Sequence, residues 1–197
     1  MACPFILDKQ GKDMRWYNEP QMWAAPTNTI RFTTNPKTDF WRKTHSGAIA
    51  DNGHFYYQTV AGSFTVEVKF SGQYRDLYDQ AGLMLRHDES TWLKCGIEYV
   101  NGVYNASVVI THDYSDWSVT ALKENPAAMW LRLVWHQPTI EVYYSLDGEI
   151  YNMMRQAYLT TANELQVGVM ACSPTGNGFE ATFEHLKIEK FEKNEKA

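Results

Sequence analysis

Through the middle of this chain, tryptophans stand beside amides, carboxylates and a lysine: Thr38-Asp39-Phe40-Trp41, Asp79-Gln80-Ala81-Gly82-Leu83-Met84, Trp92-Leu93-Lys94-Cys95-Gly96-Ile97-Glu98 and Ser115-Asp116-Trp117-Ser118. Those residue types suit a sugar-like ligand, because rings cover C–H faces while polar side chains hold hydroxyls. Cleaving a glycan asks for more. It takes two carboxyl groups, about 5–5.5 Å apart for retention or about 6.5–9.5 Å for inversion. Positions i and i+2 on one strand face lie about 6.6 Å apart. The acids with that spacing are Asp147 and Glu149, and the Asp147-Gly148 step marks them as a turn. Glu98 is the best-placed lone carboxylate, and its partner has to come across strands from Asp39, Asp79 or Asp116.

The elements that position these groups are strands. Phe64, Val66, Val68 and Phe70 alternate with Thr65, Glu67 and Lys69, the pattern of a strand with one buried face. Further strands are expected at 81–86, 92–100, 103–111, 130–136, 139–145, 165–172 and 179–190. Turns are expected at Asp51-Asn52-Gly53, Asn101-Gly102, Gln137-Pro138, Asp147-Gly148 and Ser173–Gly178, with Asn101-Gly102 and Asp147-Gly148 the clearest hairpins. The series predicts an all-β antiparallel sandwich or barrel. Asn18-Glu19-Pro20 reads as a turn leading into the first strand. We expect a lead-in over residues 1–13, one β domain over 14–190 and a charged tail over 191–197.

Strand parity then sorts the side chains. Leu93, Cys95, Ile97 and Tyr99 point to one face, and Trp92, Lys94, Gly96 and Glu98 to the other. Ala81, Leu83 and Leu85 oppose Gln80, Gly82, Met84 and Arg86 in the same way. Lys94 and Glu98 share a face but stand about 13 Å apart along an extended strand, too far to pair, so each needs a cross-strand partner or a ligand. The candidate floor is Gln80, Lys94, Glu98, Thr111 and Arg132, with Trp41, Trp92 and Trp117 at its margins. The competing reading of the same residues is a solvated sheet face with cross-strand pairs. His54, directly after Asn52-Gly53, is either a hairpin residue or a rim ligand.

Composition removes other classes of function. A net charge of −5 with scattered lysines and arginines offers no basic stripe to a phosphate backbone, which argues against nucleic acid. No apolar run approaches the ~20 residues of a membrane span, and the first residues lack a signal-peptide pattern, so a cytoplasmic protein is expected. Cys3, Cys95 and Cys172 have no paired zinc spacing; Cys95 and Cys172 sit in apolar runs and read as buried, reduced thiols. The six histidines show no metal spacing, no serine elbow accompanies them, and no cofactor is expected. Calcium at Asp51, Asp79 or Asp113 stays open.

The ordered string Asn18-Glu19-Pro20, Thr38-Asp39-Phe40-Trp41-Arg42, Asp51-Asn52-Gly53-His54, Tyr78–Met84, Trp92-Leu93-Lys94, Gly96-Ile97-Glu98, Ser115–Ser118 and Ala171-Cys172-Ser173-Pro174 resembles one family. It is the domain-of-unknown-function family numbered 1349, whose members include fungal regulation-of-enolase proteins, and the likeness runs from about residue 14 to 190. The resemblance implies a concanavalin-A-like jelly roll with a concave outer face, and a cytosolic role in controlling enolase. It supplies no catalytic residues. The leading expectation is therefore a non-catalytic regulatory protein whose groove binds a carbohydrate or an extended ligand. The alternatives are a glycoside hydrolase using Glu98 with a cross-strand Asp, Asp79 among them, and a protein-interaction module anchored by exposed Trp.

Overall fold

The computed structural model describes residues 14–191, where every regular element is a strand. The expected lead-in, Cys3 and residues 192–197 of the expected tail lie outside the described residues. The strands are β1 (Arg15–Tyr17), β2 (Met22–Ala24), β3 (Thr29–Thr33), β4 (Phe40–Arg42), β5 (Ile49–Asp51), β6 (His54–Ala61), β7 (Phe64–Gly72) and β8 (Gln80–Arg86). They continue as β9 (Thr91–Val100), β10 (Val103–His112), β11 (Tyr114–Ala121), β12 (Met129–His136), β13 (Thr139–Ser145), β14 (Asn152–Tyr158), β15 (Glu164–Cys172) and β16 (Glu180–Lys190).

Two seven-stranded antiparallel sheets form the sandwich. The front sheet runs β1-β6-β15-β8-β9-β10-β11 and the back sheet β14-β13-β12-β7-β16-β3-β2, while β4 and β5 make a separate hairpin. Alternation explains the inner faces: Phe64, Val66, Val68 and Phe70 of β7 meet Leu83, Leu85, Leu93, Cys95 and Ile97 of β8 and β9 in one buried cluster. Each such side chain contributes about 1.5–3 kcal/mol by leaving water. The rings of Phe32, Phe183 and Phe70 stack in series within it, with centroids 5.6 and 6.1 Å apart.

The alternating segments of the sequence are strands within about two residues of their expected bounds. At the β9–β10 hairpin, Asn101 and Gly102 take φ of 53° and 82°, the paired left-handed conformation that a two-residue turn requires. Asp147 is turn chemistry, as its neighbouring glycine implies. Its carboxylate accepts from Ser145 Oγ and from the N–H groups of Glu149 and Ile150, which hold its pKa down at about 2. The short strands β1–β5, and β6, β11 and β14, escape the pattern reading. Most of β6 is buried on both faces, so it lacks alternation, and β11 is a mostly exposed edge strand. Asn18-Glu19-Pro20 follows β1 rather than introducing the first strand.

β8 and β9 approach unusually closely where Gly82 faces Gly96. A Cβ on Gly82 would lie 1.9 Å from the Cys95 carbonyl oxygen, and one on Gly96 would lie 2.0 Å from that of Ala81. These neighbours are backbone and cannot turn away. Gly82→Ala is therefore expected to destabilise the protein by about 3 kcal/mol, measured as a lower urea midpoint, whereas an unchanged midpoint would show that the two strands separate freely.

Candidate functional site

The outward face of the front sheet is covered rather than solvated. Phe55, Tyr57, Met84, Trp92, Val109, Met170 and Cys172 project outward and pack beneath Phe40 of the β4–β5 hairpin, forming a second apolar cluster. This is why every residue of β8 is buried. Two cations fasten the cover. Lys94 Nζ donates to Asp39 Oδ1 at 3.0 Å and to the Phe40 carbonyl at 2.6 Å, and Arg86 grips both oxygens of Asp51 at 2.7 and 2.9 Å. Burial pulls the Lys94 pKa down, but the facing Asp39 carboxylate together with smaller contributions, Glu98 among them, outweighs it and holds the ammonium above its ordinary 10.5. Arg42 and Lys43 both bind Asp113, tying the hairpin loop to the turn between β10 and β11.

Where the cover stops, a cleft of about 840 Å³ remains. Trp41, Tyr78, Tyr114 and Trp117 supply its aromatic surface, and Asp39, Gln80, Lys94 and Glu98 its polar one. Sheet register explains its depth. Gln80 and Glu98 form one cross-strand row, and Met84, Lys94, Val109 and Trp117 another. Between them runs a row of Gly82, Gly96 and Ser107, whose small side chains leave a trough. At its base lies a pocket of about 10 Å³, bounded by Gln80, Lys94, Gly96, Glu98, Ser107 and Met170, enough for one water-sized group.

Glu98 is the least conventional group in this cleft. Its Oε2 accepts from Ser107 Oγ at 2.7 Å and from the indole N–H of Trp117 at 2.8 Å. Burial raises its carboxyl pKa above the ordinary 4.5, opposed by Lys94 and by those two hydrogen bonds. Lys94 gives its ion pair to Asp39, so the two residues that parity placed on one face do not pair with each other.

Of the residues singled out from sequence, Trp41, Gln80, Lys94, Glu98 and Trp117 come together around the cleft. Trp92 has the expected parity but is fully buried beneath Phe40, with its N–H on the Glu89 carbonyl. Thr111 is buried below the rim and hydrogen-bonds Ser115 Oγ, so it supports the wall without lining it. His54 is not at the rim. It is buried on the inward side, with Nδ1 on the Asn18 carbonyl and Nε2 accepting from the Asn35 N–H, and burial lowers its pKa. Arg132 belongs to the back sheet, where it pairs with Glu67 and covers the Tyr151 ring. Asp79 is buried in the chain leading to β8, held by Ser173 Oγ and by the N–H groups of Arg75 and Asp76, and does not line the cleft.

Sequence reasoning did not find Tyr78, Tyr114 or the hairpin residues Thr44, His45 and Ser46, which also line the cleft. The open left-handed positions Lys43, His45 and Gly47 are the local sign of that loop, but nothing in their spacing places it over another sheet. The acids proposed for calcium are each engaged: Asp51 by Arg86, Asp79 by Ser173, and Asp113 by Arg42 and Lys43. Among the described residues no group of three or more His, Cys, Asp or Glu converges on a metal-sized site, and no helix is long and apolar enough to cross a membrane. Cys95 and Cys172 are buried free thiols, and burial pushes both pKa values up.

Comparison with known proteins gives the fold a setting. A family model described as "Protein of unknown function (DUF1349)" matches residues 16–191. The chain is 37% identical over 173 residues to "Regulation of enolase protein 1" of Saccharomyces cerevisiae, covering 88% of this chain and 87% of that one. A crystal structure of a functionally unknown protein from Saccharomyces cerevisiae superposes with a TM-score of 0.86 at 35% identity, over 89% of this chain and 95% of that one. A GH43 protein, BlXynB from Bacillus licheniformis, shares the fold at a TM-score of 0.71 and 16% identity, over 90% of this chain but 37% of its own length.

The raised Glu98 pKa has a signature in stability. The folded state keeps that proton to higher pH than the unfolded chain, so ionisation costs folding free energy once pH rises above about 4.5. Relative to Glu98→Gln, the wild type is expected to lose stability across the window between 4.5 and the raised folded value, at up to about 1.4 kcal/mol per pH unit. Parallel pH profiles in urea unfolding would contradict the assignment.

Proposed function

The chain belongs to the DUF1349 family, and from that premise we propose that it is a non-catalytic regulatory protein whose cleft binds a saccharide-like ligand. The observation that carries this reading is the juxtaposition of four aromatic side chains, Trp41, Tyr78, Tyr114 and Trp117, with a polar floor of Gln80, Lys94 and Glu98. Rings of this kind stack on the C–H faces of a sugar, and the amide and carboxylate exchange hydrogen bonds with its hydroxyls. The volume of about 840 Å³ falls in the range of small-molecule sites. A regulatory role, with enolase as the partner to test, rests on the name of the yeast relative.

The carboxylates support binding better than cleavage. A hydrolase needs one carboxyl free to give a proton and a second poised to attack or to activate water. Here Asp39 is committed to Lys94, Asp116 to Arg155, and Asp79 is buried behind the wall. Glu98 remains, and one of its oxygens is already fixed by Ser107 and Trp117.

A glycan array and a pull-down with purified enolase test the two halves separately. Trp41→Ala and Trp117→Ala are each expected to weaken saccharide binding by roughly tenfold or more, since each removes a stacking surface of about 1.4 kcal/mol or better. Release of reducing ends by the wild type would overturn the non-catalytic reading. Absence of any enolase contact would remove the direct-regulator version and leave the saccharide site standing.

A further inference from the structure

The charges around the cleft are distributed unevenly. Among the described residues, the lysines and arginines that line or border it are already matched: Lys94 with Asp39, Arg42 and Lys43 with Asp113, and Arg155 with Asp116. Glu98 is the exception. It lines the cleft, is 7% exposed, and has neutral partners, a hydroxyl and an indole, for its bound oxygen. Its other oxygen, Oε1, takes no hydrogen bond from the described residues, and Glu98 lines both the cleft and the small pocket at its base. Such a group accepts a proton donor and repels an anion, and repulsion inside a partly dry cleft is stronger than in water.

Shape acts in the same direction. The pocket between Lys94 and Glu98 has room for one water-sized group, which is the size of a hydroxyl and well below that of a phosphate. Its base is set by backbone at Gly96, and the side chains of Gln80, Lys94, Glu98, Ser107 and Met170 close around it. A phosphoryl or carboxylate group entering here would meet Glu98 beside a Lys94 ammonium already engaged by Asp39 and the Phe40 carbonyl, and would desolvate its own charge in doing so.

Resting on the saccharide reading above, we infer that the cleft takes unphosphorylated saccharides and excludes phosphorylated or carboxylated ones, with Glu98 as the residue that sets this selectivity. A ligand hydroxyl donates to Glu98 Oε1 while the aromatic side chains cover the ring faces. A regulator built this way responds to the sugar before a phosphoryl group has been attached, not to the acidic products that follow. The reaction class that removes its ligand is accordingly phosphoryl transfer onto a sugar hydroxyl.

The test is ligand-observed NMR titration of the full chain with matched pairs: glucose against glucose 6-phosphate, fructose against fructose 6-phosphate, and maltose against maltose 1-phosphate. The neutral member is expected to bind at least roughly tenfold more tightly at low salt, a gap of about 1.4 kcal/mol. The gap should narrow as salt screens the repulsion and narrow again in Glu98→Gln, whose amide still accepts the Trp117 and Ser107 bonds. A thermal melt confirms that the variant is folded, and the salt series gives the same answer without it. Phosphates binding as tightly as the neutral sugars would overturn the exclusion while leaving the saccharide reading intact. A gap unchanged by both salt and Glu98→Gln would overturn the role of Glu98. Failure of every neutral saccharide to bind would overturn the saccharide reading and this inference together.

Discussion

Lys94 rises from the middle of a sheet into a layer that leaves it only 3% exposed, and the arrangement of the front face depends on how its charge is met. An ammonium in such a place is tolerable only with an anion and a carbonyl against it, and both come from the chain entering the β4–β5 hairpin, at Asp39 and Phe40. The hairpin therefore cannot lift away without giving up this ion pair and the carbonyl bond together. Because it stays down, Phe40 seals Trp92, Met84 and Cys172 into a second apolar cluster. Because it covers only part of the sheet, the remaining part becomes a cleft with a wall on one side. Arg86 and Asp51 repeat the device at the far strand of the hairpin.

The same layer marks the limit of what the amino-acid sequence discloses. Period-2 alternation tells which side chains of β9 share a face, and it correctly groups Lys94 with Glu98. It carries no information about what lies over that face. Trp92 and Lys94 have identical parity, yet one is sealed under Phe40 and the other lines an opening, a difference decided by a hairpin fifty residues upstream. Arg132 fails for a related reason. Alternation identifies it as outward-facing, but a sandwich has two outward faces, and the strand order that assigns β12 to the back sheet is a long-range property. His54 was misplaced by its neighbours: Asn52 and Gly53 do not form the expected turn but carry the chain from β5 to β6, both N–H groups donating to the Asp39 carbonyl, and the residue after them begins a strand whose first side chain points inward.

Glu98 illustrates how the surroundings of a carboxylate, rather than the fold that carries it, bear on its chemistry. The GH43 likeness extends to the sandwich alone, at low identity and over 37% of that chain. Fold resemblance at this level places no reacting groups. What decides the chemistry is local: one oxygen of Glu98 is fixed by Ser107 and Trp117, the nearest candidate acids are neutralised by lysine or arginine, and burial raises the carboxyl pKa against the opposing pull of Lys94 and those two hydrogen bonds. Trp117 is part of the same unit, since its N–H anchors Glu98 while its ring, packed edge-on against Tyr78, forms the wall.

The facing glycines of β8 and β9 have a further implication. Because the base of the trough is peptide backbone, its contour is inherited from strand pairing and is as stiff as the sheet itself. The walls are different: Thr44, His45 and Ser46 sit on a loop joined to the rest through a few side chains. Diversification among relatives would then be confined to the loop, like interchangeable jaws on a fixed anvil. Sequence drift in residues 43–48 would reshape the walls of the cleft while the depth of the trough stays constant.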